Sequence, residues 1–346
     1  MRATEQGTAR YAARFSDAGA NGFYRRAQSL TVSSLGLGTY LGELTGAADD
    51  SYVAAIQAAL AGGINFLDTA INYRHQRSER NIGEALARSG LARDEVIICT
   101  KAGFLTPGAV PDHVTQTAGN MHCMEPSFLA GQIDRSRANL QVETIDVFYL
   151  HNPETQLDHI DGCEFDDRIR RAFARLEQLA SDGKIGWYGT ATWNGYRAKP
   201  SDRSRLSLKR MIELARAVAG DEHRFRFIQL PLNLAMPEAF TLPQEQDRGE
   251  GISVLEVAAR AGITVVASAT LLQARLAANL PDHVAAALPG AGTDAERCIQ
   301  FTRSTPGVTV ALVGMGTPAH VAANLAVTRY APMTVEDYLK LYERGR

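Results

Sequence analysis

Four side chains that can exchange protons with a substrate stand at the ends of short apolar runs. Asp68 and Tyr73 lie in FLDTAINY, Lys101 ends ICTK, and His151 ends DVFYLH. A buried carboxylate needs a cation or hydrogen-bond donors, and Lys101 provides the cation. Because an ammonium group also favours a neighbouring phenolate, Lys101 is expected to bring the pKa of Tyr73 closer to neutral. We therefore expect Tyr73 to protonate a carbonyl oxygen that gains negative charge, as a general acid.

Reduction of a carbonyl also needs a hydride donor and a group that orients the carbonyl. None of the four side chains can supply a hydride, so reduction of a carbonyl requires a reduced cofactor. His151 is expected either to donate a hydrogen bond that orients the carbonyl or to relay the proton. A strand-end ion pair or a lone histidine is usually structural when it occurs alone. The convergence of four ionisable groups on one place favours a catalytic site.

The elements that position these residues are eight β-rich runs, each followed by a helical pattern. Most runs are continuously apolar, which is typical of strands covered on both faces, and several helical patterns end in glycine. The runs are residues 33 to 39, 64 to 70, 96 to 102, 145 to 151, 185 to 191, 227 to 233, 263 to 269 and 308 to 314. Eight alternations without a linker predict an α/β fold, a single-domain (β/α)8 TIM barrel.

In such a barrel the carboxyl ends of the strands form one rim, which carries the functional side chains. The polar residues at these ends are Asp68, Lys101, His151 and Gln229. Neighbouring strands lie about 4.8 Å apart, so a lysine on one strand can reach a carboxylate on the next. The fold therefore predicts that the proton-transfer residues meet at the barrel mouth.

Segments outside the eight units are predicted from their length and position. Residues 1–22 form an N-terminal extension, and residues 23–346 form the barrel domain. The loop 105–125 after the third strand is long, and both a cover over the site and a solvated surface loop stay open for it. A second insertion, residues 235–251, follows the sixth strand on the same rim.

Composition excludes several classes of partner. The chain has 45% hydrophobic and 21% charged residues and a formal net charge of −2, so nucleic acid and anionic membranes are not expected partners. It has no window of about 18 apolar residues, and residues 1–22 lack the apolar core of a secretory signal. The four cysteines are scattered, and His122 with Cys123 does not make a ligand set, so no metal is expected. These features predict a soluble, cytoplasmic protein.

Several motifs resemble those of the aldo-keto reductase family and occur in that family's order. They are GLGTY, FLDTAINY followed by RSERNIGEAL, ICTK, DVFYLHNP and VGMGTPAHVAANL, and the resemblance covers about residues 23 to 330. Asp68, Tyr73, Lys101 and His151 match the catalytic tetrad of the family. The resemblance implies an NAD(P)-dependent oxidoreductase that acts on a small carbonyl or alcohol substrate, namely an aldehyde, a ketone or a sugar.

The resemblance also implies where a nicotinamide dinucleotide lies, extended across the barrel mouth with Gln229 at the carboxamide. The segment GLGTYLG does not substitute for this arrangement, because its spacing and the eight-unit count contradict a Rossmann domain. The positions that the resemblance assigns to the cofactor are Gly38, Thr39, Thr192, Gln229, Ser268, Gly314, Thr317, His320 and Asn324.

The chain departs from the family pattern at some of these positions. The usual Ser-Asn pair after the fifth strand is Ala191-Thr192, and Ser268 replaces an aromatic residue that commonly stacks on the nicotinamide. Gly314 and His320 stand where Lys and Arg often bind the 2′-phosphate of NADP. A 2′-phosphate prefers a fixed cation, and Arg275 is a candidate replacement. Family habit favours NADP, with NAD as the alternative.

Other questions stay open at the level of the sequence. The pocket for the carbonyl substrate is predicted to include Tyr40, Phe104, Trp187 and Trp193. Two alternative functions are a non-catalytic barrel that senses bound cofactor and a Schiff-base lyase that uses Lys101. The lyase ranks last, since a neighbouring aspartate would keep the lysine protonated. The sequence does not decide between a monomer and a homo-oligomer.

Overall fold

The computed structural model describes residues 1–106, 121–288 and 291–343. Eight parallel strands close into a barrel in chain order, and the first strand pairs with the eighth. Their bounds are Leu35–Gly38, Phe66–Asp68, Ile97–Ala102, Ile145–His151, Ile185–Ala191, Phe225–Pro231, Thr264–Ser268 and Val308–Gly314. The predicted TIM barrel and all eight predicted strands are confirmed.

The barrel helices begin where the sequence provides side-chain caps. The hydroxyl groups of Thr45, Ser207 and Thr317 and the carboxylate of Asp161 each accept a hydrogen bond from a main-chain N–H of the following helix. Such caps satisfy donors that have no partner inside the helix. The helices are Gly46–Ala61, Arg77–Ser89, Pro126–Leu140, Gly162–Ser181, Leu208–Ala219, Val254–Arg260, Asp294–Ser304 and Pro318–Asn324.

Shorter elements occupy the connections between the barrel units. The predicted insertion at residues 235–251 contains the helix Glu238–Thr241 and most of a hairpin of Glu245–Asp247 and Glu250–Ile252. The helix Asp282–Ala287 follows the seventh strand, and Val335–Glu343 is the last helix. Residues 107–120, the middle of the predicted long loop, lie outside the described residues.

The segment predicted as an N-terminal extension packs against the barrel. It forms the helices Glu5–Ala13 and Ser16–Ala20, and the fully buried Tyr11 donates hydrogen bonds to the carbonyl oxygens of Leu60 (2.5 Å) and Ile64 (3.2 Å). Burial of an aromatic ring with a paired hydroxyl group stabilises this contact. The division of the chain at residue 22 stays a prediction.

A hairpin closes the amino end of the barrel. Its antiparallel strands, Tyr24–Ala27 and Leu30–Ser33, precede the first barrel strand. Leu30 and Val32 are buried in a cluster with Phe66 and with other residues from inside the barrel. The barrel interior is therefore a packed core below the mouth, as expected for eight strands. Within the described residues, no helix has the length and apolar character needed to cross a bilayer.

Candidate active site

An ion pair between the second and third strands lies at the centre of the mouth. The Nζ atom of Lys101 donates to Asp68 Oδ2 at 2.5 Å and to the carbonyl oxygen of Thr69 at 2.7 Å. The strand register pairs Asp68 with Cys99, so Lys101 lies two residues further along its strand and on the same face. Both side chains are almost fully buried. The structure thus brings together the carboxylate and the cation that the sequence placed at adjacent strand ends.

Asp68 is held by further contacts from the sixth strand and from the residue after the first strand. Its second carboxylate oxygen, Oδ1, accepts a hydrogen bond from Gln229 Nε2 at 2.8 Å. Its carbonyl oxygen accepts from the hydroxyl group of Thr39 at 3.1 Å, and the Thr39 carbonyl oxygen accepts from Ser78 Oγ at 2.7 Å. The contact between Gln229 and Asp68 had no signal in the sequence, because the sixth and second strands are not neighbours.

Lys101 carries its positive charge in this environment. Burial lowers the pKa of the ammonium group, but the carboxylate of Asp68 opposes burial, and the net effect raises the pKa of Lys101 above its ordinary value. A charged ammonium group is a poor nucleophile and a good electrostatic partner. Lys101 is therefore suited to stabilising a neighbouring anion.

Tyr73 lies beside this lysine in the turn after the second strand. Lys101 Nζ lies 5.0 Å from the centroid of the Tyr73 ring. Burial raises the pKa of Tyr73, and Lys101 counteracts only part of that increase. Burial outweighs the ammonium group, so the predicted shift of the Tyr73 pKa towards neutral was wrong for the free protein. The phenol is held neutral, which is the state of an acid.

The chain leaves Tyr73 through an unusual left-handed turn. Arg74, His75 and Gln76 have φ angles of 48°, 52° and 70°. None of them is glycine, and each such residue costs about 1 kcal/mol or more relative to a right-handed conformation. Backbone strain of this kind persists only where surrounding contacts fix it. The turn therefore needs an anchor, and Arg74 provides one.

The anchor is the buried guanidinium group of Arg74. It donates from Nε and Nη2 to the carbonyl oxygen of Glu43 at 3.0 and 2.6 Å, and from Nη2 to Asp49 Oδ1 at 2.8 Å. Its Cζ atom lies 4.8 Å from the ring centroid of Tyr52. These contacts join the turn after Tyr73 to the loop after the first strand and to the first barrel helix.

His151 ends the fourth strand and faces the same space. Its ring lies edge-to-face with Tyr73, at a centroid distance of 5.7 Å, and with Phe104, at 5.1 Å. Burial lowers the pKa of His151 well below its ordinary value, and the nearby Lys101 lowers it further. The imidazole is therefore neutral and can donate one hydrogen bond without carrying charge.

The residues that the sequence assigned to a cofactor surround the rest of the mouth. Gly38 and Gly314 are paired at the ends of the first and eighth strands, and a Cβ atom on Gly314 would meet open space. Ser268 ends the seventh strand beside Pro231. The main-chain N–H of Thr192 donates to the carbonyl oxygen of Gln229 at 2.9 Å.

Two threonine hydroxyl groups on this side are buried without a hydrogen-bond partner among the described residues. They belong to Thr192 and Thr270. An unpaired buried hydroxyl is unfavourable, and a polar ligand would relieve it. At the eighth strand, Thr317 accepts a bond from the N–H of His320 at 3.2 Å, His320 is exposed, and Asn324 is buried. The unpaired hydroxyl groups thus fit a polar ligand at this side of the mouth.

The predicted substrate pocket is only partly supported. The Tyr40 ring lies 4.9 Å from the Tyr73 ring, Phe104 touches His151, and Trp193 is partly exposed at the rim. The prediction was wrong for Trp187, which does not lie in this pocket. It packs inside the barrel against Phe227 at a centroid distance of 5.9 Å, under the guanidinium group of Arg2. Trp187 lies four residues before Ala191 on the same face of the strand, and at about 3.3 Å per residue this places it well below the mouth.

Sequence reasoning missed a buried carboxylate that shapes the rim. Glu154 Oε1 accepts from the main-chain N–H groups of Trp193, Asn194 and Gly195 at 2.7, 3.0 and 3.2 Å. Three donors on one oxygen fix the loop that carries Thr192. The signal was the acidic residue three positions after His151 in HNPE. No group of three or more potential metal ligands occurs in the described ranges, as searched among His, Cys, Asp and Glu.

Comparison with known sequences places these features in a family. The model of the Aldo/keto reductase family matches residues 34–203, which include Asp68, Tyr73, Lys101 and His151. A D-threo-aldose 1-dehydrogenase of a Pseudomonas species is 30% identical over 172 residues, 46% of this chain and 50% of that protein. The chain spans about half the length of the curated relatives it matches.

Solved structures share the fold over nearly the whole chain. The glycerol dehydrogenase of Gluconobacter oxydans superposes with a TM-score of 0.67 at 22% identity, covering 93% of this chain and 94% of that one. An aldo/keto reductase of Klebsiella pneumoniae in complex with NADP and acetate gives a TM-score of 0.66 at 20% identity, covering 92% and 93%. At these identities the likeness is one of fold.

Proposed function

Because the chain belongs to the aldo/keto reductase family, we propose that it transfers hydride between a nicotinamide cofactor and the carbonyl carbon of an aldehyde, ketone or sugar. Tyr73 is the general acid of this proposal. The observation that carries it is the buried ammonium group of Lys101, held by Asp68 at 2.5 Å and placed 5.0 Å from the centre of the Tyr73 ring.

The proton transfer follows from the charges at these three residues. When bound, the reduced nicotinamide supplies the hydride. Tyr73 donates its phenolic proton to the carbonyl oxygen as negative charge develops there, and the ammonium group of Lys101 stabilises the phenolate that remains. Asp68 keeps that lysine charged and oriented, since it raises the pKa of Lys101.

His151 orients the substrate in this proposal. A neutral imidazole donates a hydrogen bond to the carbonyl oxygen and thereby fixes the direction from which Tyr73 reaches it. Its low pKa excludes a second positive charge beside Lys101 at neutral pH. The contacts with Phe104 and Tyr73 limit the rotation of the ring.

The cofactor would be held by the other side of the mouth. Gly38 and Thr39 would approach it closely, while Thr192, Gln229 and Ser268 would contact the nicotinamide end. At the other end Gly314, Thr317, His320 and Asn324 would hold the adenosine part, with Arg275 as a further cation. NADP is favoured over NAD, and the Klebsiella pneumoniae enzyme that shares the fold was solved with NADP.

The first experiment is a fluorescence titration of the purified protein with NADPH and NADH separately, followed by absorbance assays with aldehydes, ketones and sugars. We expect tight binding of NADPH and oxidation of NADPH that depends on the added carbonyl compound. Binding without turnover on any carbonyl compound would favour a cofactor-sensing barrel. If neither dinucleotide binds and borohydride traps a substrate on Lys101, the reductase proposal is wrong.

A further inference from the structure

We propose that His122 is a positioning residue for His151: it holds the main-chain carbonyl group of His151 and thereby fixes the imidazole that faces Tyr73. The inference rests on the proposed function, in which His151 orients the substrate carbonyl. His122 lies in residues 121–125, the last part of the long loop after the third strand, where the chain returns to the barrel.

The contact itself is a short, fully buried hydrogen bond. His122 Nε2 lies 2.7 Å from the carbonyl oxygen of His151, and no part of the His122 side chain is exposed. The next residue, Asn152, has φ 49° and ψ 57°, so the chain turns out of the sheet directly after His151. A buried carbonyl group at such a turn needs a donor, because an unpaired one costs about 1–3 kcal/mol.

A chain of hydrogen bonds fixes which ring nitrogen of His122 carries the proton. The guanidinium group of Arg168 can only donate, and its Nη1 atom lies 3.0 Å from Gln156 Oε1. The amide nitrogen of Gln156 therefore donates to His122 Nδ1, at 3.1 Å. The proton of His122 must then sit on Nε2, where it points at the acceptor oxygen of His151. Burial also lowers the pKa of His122 to about 4, which keeps the ring neutral.

Main-chain contacts around His122 hold its ring close to the carbonyl oxygen of His151. The N–H of Cys123 donates to the carbonyl oxygen of Gly103 at 2.7 Å, and a β-bridge joins Phe104 to His122. A Cβ atom on Gly103 would lie 2.5 Å from His122 Nε2 and 2.6 Å from the His151 oxygen. A glycine at residue 103 is therefore required for this hydrogen bond. The Phe104 ring packs edge-to-face on both histidine rings.

His151 depends on this contact because its own ring has little else to hold it. Its Nδ1 atom is buried without a hydrogen-bond partner among the described residues. In many catalytic histidines a bond at that nitrogen fixes the ring. Here the main-chain carbonyl and the two aromatic neighbours take over that task. Loss of His122 would leave the carbonyl unpaired and let the peptide rotate, and the imidazole would move with it.

The test compares three variants of the full chain. His122→Leu removes both hydrogen bonds, His122→Gln keeps a donor at the position of Nε2, and His159→Leu removes an exposed histidine as a control. With benzaldehyde as the probe, we expect kcat to fall roughly 10-fold or more in His122→Leu, with the NADPH dissociation constant within about twofold. His122→Gln should recover most of that loss, and His159→Leu should match the wild type.

A second readout does not depend on turnover. In long-range 1H–15N spectra of 15N-histidine-labelled protein, the His151 ring signals, assigned by loss in His151→Asn, should shift in His122→Leu. They should stay in place in His159→Leu. Unchanged ring signals together with an unchanged kcat in His122→Leu would overturn the positioning role. If the wild type neither binds NADPH nor turns over benzaldehyde, the proposed function fails, while the ring signals still report whether His122 positions His151.

Gly103→Ala provides an independent route to the same contact, should His122→Leu fold poorly. The added methyl group would push His122 Nε2 away from the His151 carbonyl group without changing either histidine. We expect the same displacement of the His151 ring signals and a fall in kcat in the same direction. An alanine variant with wild-type signals and wild-type kcat would show that the close approach is unnecessary.

Discussion

The Asp68–Lys101 ion pair and the proposed dinucleotide side of the barrel mouth differ in how their polar groups are paired. On the proton-transfer side, both carboxylate oxygens of Asp68 are occupied, by Lys101 and Gln229, and the ammonium group of Lys101 also bonds the Thr69 carbonyl oxygen. The strained turn after Tyr73 is anchored by Arg74. The Asp68–Lys101 pair therefore has its geometry before any ligand arrives.

The proposed dinucleotide side, formed by Thr192 and residues 268–275 and 314–324, has hydroxyl groups that lack partners among the described residues. The hydroxyl groups of Thr192 and Thr270 are buried without partners in the part of the chain that the structure describes. A polar ligand would pair these two hydroxyl groups. The difference indicates that the Asp68–Lys101 pair is preorganised, whereas in the proposed function the hydroxyl groups of Thr192 and Thr270 gain partners when the dinucleotide binds.

The largest expected effect is that of Tyr73→Phe, which should reduce turnover but not cofactor binding. Replacing Tyr73 by Phe removes the acid but no contact to the dinucleotide, so turnover should fall roughly 10³-fold while NADPH binding changes less than about twofold. Steady-state kinetics and fluorescence titration measure the two quantities. Tyr342→Phe is the matched control, since Tyr342 lies in the last helix, Val335–Glu343, and should keep wild-type activity. A Tyr73→Phe variant with full turnover would contradict the assignment.

The next prediction concerns the stability of the preorganised side. Lys101→Met leaves the carboxylate of Asp68 buried with only the Gln229 amide as a partner, so the free energy of unfolding should fall by about 3–5 kcal/mol. Urea denaturation measures it. The double variant Lys101→Met/Asp68→Asn removes the unpaired charge and should recover much of that stability without recovering turnover. Equal stability of the single variant and the wild type would mean that the pair is not desolvated.

Acid should also destabilise the proton-transfer side. The pKa of His122 is about 4 in the folded protein and 6.5 ordinarily, so the unfolded chain takes up protons first as the pH falls. Neutral His122 therefore contributes its full share to the free energy of unfolding above pH 6.5. This contribution decreases by about 3 kcal/mol as the pH falls to 4. Urea denaturation across this range should therefore show a steeper loss in the wild type than in His122→Gln. Parallel curves would show that His122 is accessible to protons.

The smallest expected effect is on the dinucleotide side. His320→Arg places a fixed cation at an exposed position of the last barrel helix, and we expect NADPH to bind roughly 3- to 10-fold more tightly, with NADH and kcat unchanged. Titration with both cofactors measures the change. His320→Gln should weaken NADPH binding slightly. If His320→Arg tightens NADH binding by the same factor, then residue 320 does not contact the 2′-phosphate.

Much of the fold could be predicted because continuous apolar runs and glycine-terminated helices repeat in regular order. The positions of Asp68, Lys101 and His151 at the mouth followed from the same repetition. Contacts across the barrel could not be predicted, and the bond from Gln229 to Asp68 is one example. Depth along a strand also matters: Trp187 points into the barrel but lies four residues below the strand end, so its prediction as a pocket residue was wrong.

The electrostatics of the site were also beyond the sequence. A motif shows that a lysine stands near a tyrosine, but it does not show how much water surrounds them. Burial raises the pKa of Tyr73 against the effect of Lys101, and only the three-dimensional packing reveals it. His122 gave no usable signal either, since its partner His151 lies 29 positions away.

The closure of the barrel determines when the first strand can complete its pairing during synthesis. The first strand, Leu35–Gly38, has the eighth strand as one of its two neighbours, and Arg25 in the preceding hairpin reaches the carbonyl oxygen of Val308 across 283 positions. At ribosomal speeds of about 5–20 residues per second, the first strand waits roughly tens of seconds for that neighbour. Until then one of its edges stays open to other chains. The nascent protein therefore carries this unpaired strand edge until its last barrel strand emerges.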